Sequence, residues 1–555
     1  FSFYGMKALL FLYLTKYHLF GDNAGYDVIG AYGGLVYAIP VIGGLLADRY
    51  LGMRKAVVFG GILLCLGHLG MAIEGSQATR VGEVVTRDES ALLVFYGSLA
   101  LIIVGVGFLK PNISTIVGRL YTQDDPRRDS GFSLFYAGIN LGALFASLVC
   151  GYLGEIYGWS YGFGAAGIGM VLGLCMFLWG QRYLHGHAEP PDPDRLRETS
   201  WLGLSREKLI YLGSLLGLLP LAWLMWASAN GAFSLGGHIT LALAMMLVML
   251  VGVLVWFMLF ILRQCTPVER DRMIALMVLI FWALVFFTLY EQTYGSWVAF
   301  TDRLLTQDLF PSMVITEGTP LPWSIFSLIL APAAFFVAAR LSDRDPASAA
   351  PKLIFALVFA AVGLFLLRDL LVLPQTAGSL TFLGAMFIVL LAPIFTGLWG
   401  WLDRFGANPS KPIKSAIGLV FAGLAFVPLA LAAEEVGATG MMASVWWLVL
   451  AYLVLEIGEM CLSPVGLSAV TQLSVARVTS LMMGTWFLAT AFSEALAALF
   501  GKLAAIEEVG ADIDLVAASA KYADLFWLMT WIGLGCAVLA FAVAPLLKRW
   551  MHGVR

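Results

Sequence analysis

The sequence predicts an all-α polytopic membrane protein with about sixteen transmembrane helices. Three observations predict it. First, 60% of the 555 residues are apolar and 12% are charged, with a mean hydropathy of +0.87; an ordinary soluble domain is about 25% charged. Second, the apolar residues gather into runs of bilayer length. Third, the basic residues between those runs fall mostly on one side.

A hydrocarbon core about 30 Å thick needs about 20 apolar residues per helix. Six runs come first, at 1–19, 28–47, 56–73, 91–119, 131–152 and 160–181. A pair follows at 209–227 and 239–262. The remaining eight are 274–300, 323–341, 353–372, 380–402, 415–433, 444–473, 478–500 and 523–547. Backbone groups in lipid must be satisfied internally, which allows helices or closed barrels. These runs are too long and too continuously apolar for barrel strands. The sequence opens inside an apolar run, so its first helix is expected to begin upstream of Phe1.

When the loops alternate sides, 24 of the 33 basic residues share one side and six take the other. The positive-inside rule makes the first side cytoplasmic and places the C-terminus there. The chain is expected in the cell's inner (cytoplasmic) membrane, with the lipid bilayer as its surroundings. The polar stretch 182–208 is charged and Pro-rich, and reads as a linker between an N-terminal half, 1–184, and a C-terminal half, 274–555. The inserted helix pair lies with this linker in 185–273.

Several function classes are excluded. A net charge of -3 gives no case for nucleic-acid binding. The six cysteines show no C-x-x-C spacing, and His185 and His187 have no further ligands at suitable spacing, so neither a metal nor a cofactor is expected. No cleavable signal peptide stands out. A membrane hydrolase needs a His/Asp metal cluster or a Ser–His arrangement near the midplane. The six histidines are scattered instead, so the chain is not expected to be an enzyme.

The buried charges are the informative ones. Lys7 lies twelve residues before Leu19, about 18 Å along a helix, and Lys110 lies ten before Leu120, about 15 Å. Both are near the midplane, where a charge faces a cavity and a partner. Lys16 sits at a helix end and can snorkel. The deep acids are Glu291, Glu456, Glu459 and Glu494, with Asp48 at a helix end. Glu456 and Glu459 are three apart and share a face. Bases in the first half and acids in the second suggest pairing across a central cavity. His68 reads as a hydrogen-bonded packing residue, and Glu494 as a structural acid facing the bundle.

Residues 108–153 carry F-L-K-P-N-I-S-T, then F-Y-A-G-I-N-L-G, then V-C-G-Y-L-G. G-G-L-L-A-D-R-Y-L-G-M-R-K stands at 43–55, G-E-M-C-L-S-P-V-G-L at 458–467, and W-F-L-A-T-A at 486–491. In this order the motifs resemble the proton-dependent oligopeptide transporter family, a branch of the major facilitator superfamily. The resemblance implies two six-helix bundles around a central site, with 209–262 as the extra pair of bacterial members. The pair at 323–372 is a further insertion. The family's first helix reads Glu-x-x-Glu-Arg-Phe-x-Tyr-Tyr-Gly; the chain starts at Phe1-Ser2-Phe3-Tyr4-Gly5, with Phe3 at the first Tyr and Lys7 at a usual Arg. Lys keeps the charge without the bidentate fork.

The resemblance implies a proton-coupled symporter that imports di- and tripeptides, driven by a proton gradient without a cofactor or an obligate protein partner. Tyr4, Lys7, Tyr37, Lys110, Asn140, Glu459, Ser463, Trp486 and Phe487 match the peptide-site positions. Lys7, Lys110, Glu291, Glu459 and Asp48 match coupling or gating positions. The family's eighth-helix Asn is replaced by small residues near Gly384 and Ala385. A zwitterionic peptide needs an acid for its amine, here Glu459, and positive potential for its carboxylate, here Lys7 and Lys110. Lys7 is expected to pair with Glu291 at the outer gate, and Lys110 with Glu459 at the inner gate. The alternatives are a same-fold transporter of nitrate, a drug or a glycoside, or a membrane enzyme or receptor; Lys110 argues against nitrate.

Overall fold

The computed structural model describes residues 1–82, 84–121, 128–199, 203–232, 240–316, 318–344, 348–475, 478–506 and 514–554. The loop bases Arg127, Arg477 and Arg555 lie outside them. Fifteen described helices are long and apolar enough to cross a membrane. The remaining run is helical over 2–17 (α1), short of the span length. The others are α2 Asp22–Leu51, α3 Met53–Met71, α4 Glu89–Arg119, α5 Phe135–Tyr157, α6 Trp159–Leu184, α7 Arg206–Ala229 and α8 Leu241–Arg263. Then come α9 Pro267–Leu304, α10 Trp323–Asp343, α11 Ala350–Val372, α12 Ser379–Arg404, α13 Lys411–Thr439, α14 Trp446–Leu473, α15 Leu481–Ala504 and α16 Leu515–Trp550.

Local chemistry sets the helix ends. Asp88 caps α4 by accepting from the backbone of Ser90 and Ala91, and Thr266 and Glu269 form a capping box on α9. Among the described residues, strands are confined to loops. Thr79–Val81 pairs antiparallel with Val84–Thr86, and Leu305–Thr306 pairs parallel with Ala443–Ser444. Four segments have wide π turns: Tyr13–Tyr17 in α1, Ala47–Leu51 in α2, and Ser147–Gly151 and Leu153–Tyr157 in α5. All four belong to the first bundle.

The core helices α2 to α5, α9 and α13 to α15 bury more than half of their apolar spans and α6, α12 and α16 about a third, whereas α7, α8, α10 and α11 bury less than a quarter. The inserted pairs therefore sit at the periphery. Asp369 of α11 is fully buried and accepts from the backbone N–H of Trp323 and Ser324, tying the second pair together. Residues 182–199 of the polar stretch pack against the first bundle instead of running free. Leu196, in the five-residue helix Pro193–Arg197, packs into a cluster with Ala47, Leu51 and Ala56. Arg54 pairs with Glu189 at 2.6 Å. The apolar side chain at 196 and the charge complement supply this anchoring.

The two bundles are clasped at one end. Arg303 of α9 grips Asp22 of α2 with two hydrogen bonds of 2.7 Å. Lys502 pairs with Asp27 at 2.5 Å, Lys16 pairs with Asp302, and the Gly378 N–H donates to Glu155 at 2.8 Å. At the opposite end, ion pairs join the first bundle to the linker and inserted helices, as in Lys55–Glu207 and Arg182–Asp343.

Candidate functional site

The site begins with a break in α9. Its α-helix ends at Tyr290, a 3₁₀ turn covers Glu291–Tyr294, and α geometry resumes at Ser296 beyond Gly295. Such tightening within a membrane helix marks a hinge or a functional position. It delivers Glu291 and Gln292 inward, both buried. Gln292 donates to the Ala497 carbonyl of α15 at 2.8 Å and accepts from Ser296 at 2.5 Å, so the broken segment is held in place.

Lys7 of α1 meets this break. Its Nζ lies 2.6 Å from Glu291 Oε2 and 2.5 Å from Glu494 Oε1 of α15. The Lys7 side chain is 3% exposed, and those of Glu291 and Glu494 are 6% and 2% exposed. The ammonium also stands 4.7 Å from the Tyr294 ring centre, a cation–π contact that adds to its fixation. Gly33 of α2 leaves room for the second acid, since a Cβ there would stand 2.6 Å from Glu494 Oε2. A lysine shared by two carboxylates therefore ties the first bundle to two helices of the second.

The other predicted residues fall around this tie. Tyr4 has its ring 6.3 Å from that of Tyr294. Lys110 of α4 lies 3.6 Å from the Tyr37 ring centre. The expected Lys110–Glu459 pair is not made in this conformation: the tyrosine face holds the lysine, and Glu459 accepts from Ser463 at 3.4 Å. Asn140 donates back to the Tyr136 carbonyl of its own helix at 3.0 Å. Trp486 is 5% exposed and lies against Gly466 and the Phe287 ring, whereas Phe487 is partly buried. Asp48 is exposed in the last turn of α2 and makes no ion pair among the described residues. It is not part of the central cluster.

Two further corrections concern buried polar groups. Glu494 is an ion-pair partner of Lys7 rather than a purely structural acid. Its sequence signal is its spacing, seven residues after Phe487 and hence on the same helix face. His68 is 1% exposed, and neither ring nitrogen has a hydrogen-bond partner among the described residues. The packing role stands; the expected hydrogen bond does not.

A second acidic group forms on α14. Glu456 is fully buried, and the Tyr290 hydroxyl donates to its Oε1 at 3.3 Å. Oε2 of both Glu456 and Glu459 is buried without a partner among the described residues. At Gly384, one of the small residues near the family's eighth-helix Asn, a Cβ would approach Glu456 Oε1 to 2.9 Å. The small residue on α12 makes space for this extra carboxylate. In this conformation Lys7 is engaged by Glu291 and Glu494, whereas Lys110 and Glu459 make no ion pair among the described residues.

The POT family model matches residues 54–367 and 373–513. The uncharacterized transporter YclF of Bacillus subtilis (strain 168) is 32% identical over 517 residues, covering 91% of this chain and 86% of the relative. A di-/tripeptide transporter of Lactococcus lactis subsp. lactis (strain IL1403) is 31% identical, covering 89% of this chain and 85% of the relative. Among solved structures, a peptide transporter POT in complex with sulfate is similar at a TM-score of 0.72 and 28% identity, covering 100% of this chain and 93% of that one. A variant of a peptide transporter POT in complex with alafosfalin is similar at a TM-score of 0.71 and 27% identity.

Proposed function

The chain belongs to the POT family, and on that premise we propose that it is a proton-coupled symporter importing di- and tripeptides by alternating access. The observation that carries this reading is the buried Lys7–Glu291 ion pair joining the two bundles. Proton coupling needs a titratable group whose charge decides whether a gate is closed. Here a carboxylate holds a lysine across the bundle boundary. A proton on that carboxylate removes the attraction and biases a bistable pair of bundles.

The peptide roles follow from charge. Glu459 takes the amine, Lys7 and Lys110 attract the carboxylate, and Tyr4, Tyr37 and Asn140 bond the peptide link. Ser463 orients Glu459, and Trp486 and Phe487 wall the side-chain pocket. Under the positive-inside reading, with the C-terminus cytoplasmic in the inner membrane, the clasp of Asp22, Asp27, Asp302, Arg303 and Lys502 lies on the outer side. The conformation is then closed outward, and the separation of Lys110 from Glu459 belongs to the same state.

The test is uptake of labelled dialanine into liposomes with and without an imposed inward proton gradient. Accumulation above the external concentration only with the gradient is expected. Uptake that equilibrates identically in both conditions refutes coupling, and no uptake of any di- or tripeptide refutes the substrate class.

A further inference from the structure

Lys7 is held by two acids, and both come from the second bundle: Glu291 from α9 and Glu494 from α15. Neutralising Glu291 alone leaves the ammonium 2.5 Å from a second buried carboxylate. In so dry a site one such pair is enough to keep a gate shut, because a separated charge on either side would be uncompensated. The central charges show the same excess. Two ammonium groups, Lys7 and Lys110, and four carboxyl groups, Glu291, Glu494, Glu456 and Glu459, lie on the central helices. A zwitterionic peptide adds no net charge to repair the difference.

We infer that Glu494 is a second proton-accepting residue of the transport cycle, so that the Lys7 latch opens only when both Glu291 and Glu494 are neutralised. This rests on the symporter reading above. The balance is simple. Two protons from outside convert two carboxylates to carboxylic acids, and Lys7 keeps its charge. The released ammonium takes the peptide carboxylate as its new counter-ion, while Glu459 takes the peptide amine. Both protons leave to the cytoplasm when the latch closes again. The groups that face Glu494 are Lys7 from α1, Tyr32 and Tyr37 from α2, Lys110 from α4 and Glu291 from α9. Tyr4 of α1 lies in the same field. Among these, Lys7 alone is in salt-bridge contact with Glu494. The carboxylate is in place because Gly33 admits it, and its seven-residue spacing from Phe487 puts it on the site-facing side of α15.

The experiment measures proton-to-peptide stoichiometry for a net-neutral dipeptide in liposomes, with the membrane potential clamped at zero. At equilibrium, one pH unit of gradient supports about tenfold accumulation for one proton and about hundredfold for two, since each pH unit is a factor of ten per proton. Wild type is expected near the higher figure and Glu494→Gln near the lower, with gradient-independent peptide exchange as proof that the variant is folded. Glu494→Asp retains an acid and is expected to keep the higher figure. A wild-type stoichiometry of one overturns the inference without reference to any variant, as does an unchanged stoichiometry in Glu494→Gln. A second arm needs no peptide: acid-minus-alkaline infrared difference spectra of the purified protein should lose a protonated-carboxyl band in Glu494→Gln. An unchanged spectrum overturns the assignment. Absence of peptide uptake by wild type would defeat the symporter reading, and the infrared arm would still decide whether Glu494 takes a proton.

Discussion

The clasp between α2 and α9 gives the sharpest test of which state the structure represents. Arg303 and Asp22 make a bidentate pair at 2.7 Å, their side chains 12% and 2% exposed. Asp22 also accepts from the Ile506 N–H at 2.8 Å, and Arg303 donates to the Tyr522 hydroxyl at 3.1 Å. Asp22→Ala leaves a buried guanidinium without its anion. Removing one partner of a buried pair costs about 3–5 kcal/mol. In the opposite state the bundles part at this end and water reaches Arg303, so little of that cost applies. The ratio of the two states should therefore shift by at least about two orders of magnitude, taking 1.4 kcal/mol per factor of ten. Lys16→Ala is the control. Its pair with Asp302 leaves the lysine 45% exposed, and exposed pairs contribute about 0.2–1 kcal/mol. The assay is the distance distribution between spin labels on the clasped ends of α2 and α9. Asp22→Ala should populate a longer distance and Lys16→Ala should leave the distribution nearly unchanged. Identical distributions for Asp22→Ala and wild type would show that the clasp does not set the conformation.

Other expectations follow from single contacts. Tyr37→Phe keeps the ring under Lys110 and removes only the hydroxyl, so half-maximal uptake should need a higher peptide concentration, by the roughly 0.5–1.5 kcal/mol of one hydrogen bond; an unchanged value removes Tyr37 from the peptide contacts. Gly33→Ala puts a methyl 2.6 Å from Glu494 Oε2, and should displace that carboxylate from Lys7 and lower gradient-driven uptake; wild-type uptake would show that α2 can give way. Gly384→Ala should likewise crowd Glu456, read as a lowered thermal midpoint in detergent. Asp88 is held well below the usual carboxylate range, first by the Ser90 hydroxyl and then by the Ala91 and Ser76 N–H groups. A depressed carboxylate contributes stability above its unfolded value and loses it only as pH falls through the folded one. The α4 cap should thus survive mildly acidic pH, and Asp88→Ala should lower thermal stability equally at neutral and mildly acidic pH.

Much of the architecture was legible because lipid makes span length and apolarity nearly sufficient to identify helices. The midplane cations Lys7 and Lys110 were equally legible, since a charge so far from either end of an apolar run has few explanations. The family resemblance supplies Glu291 as the partner of Lys7, but nothing in the sequence supplies Glu494. Glu291 and Glu494 lie 284 and 487 residues beyond Lys7, and only packing of α9 and α15 against α1 decides that both reach it. Lys110 and Glu459 carry opposite charge, yet in this conformation Lys110 rests on an aromatic face and Glu459 takes a single hydroxyl bond. Asp48 illustrates the reach of a motif: it fixes the residue at the end of α2, and the exposure of that helix end sets its environment. A buried imidazole is expected to be bonded, and no sequence pattern reveals that the described neighbours of His68 offer it no partner.

The wide π turns bear on how such a bundle moves. Each holds one residue more than an α turn requires, and helices tolerate that surplus without losing their continuity. A surplus residue can be handed along the helix, and everything beyond it then rotates by about 100°, the angle per residue of a 3.6-residue turn. At Ala47–Leu51 the side chains concerned are Asp48 and Arg49. Absorbing the surplus would re-aim both like the wards of a turned key, while α2 stays whole.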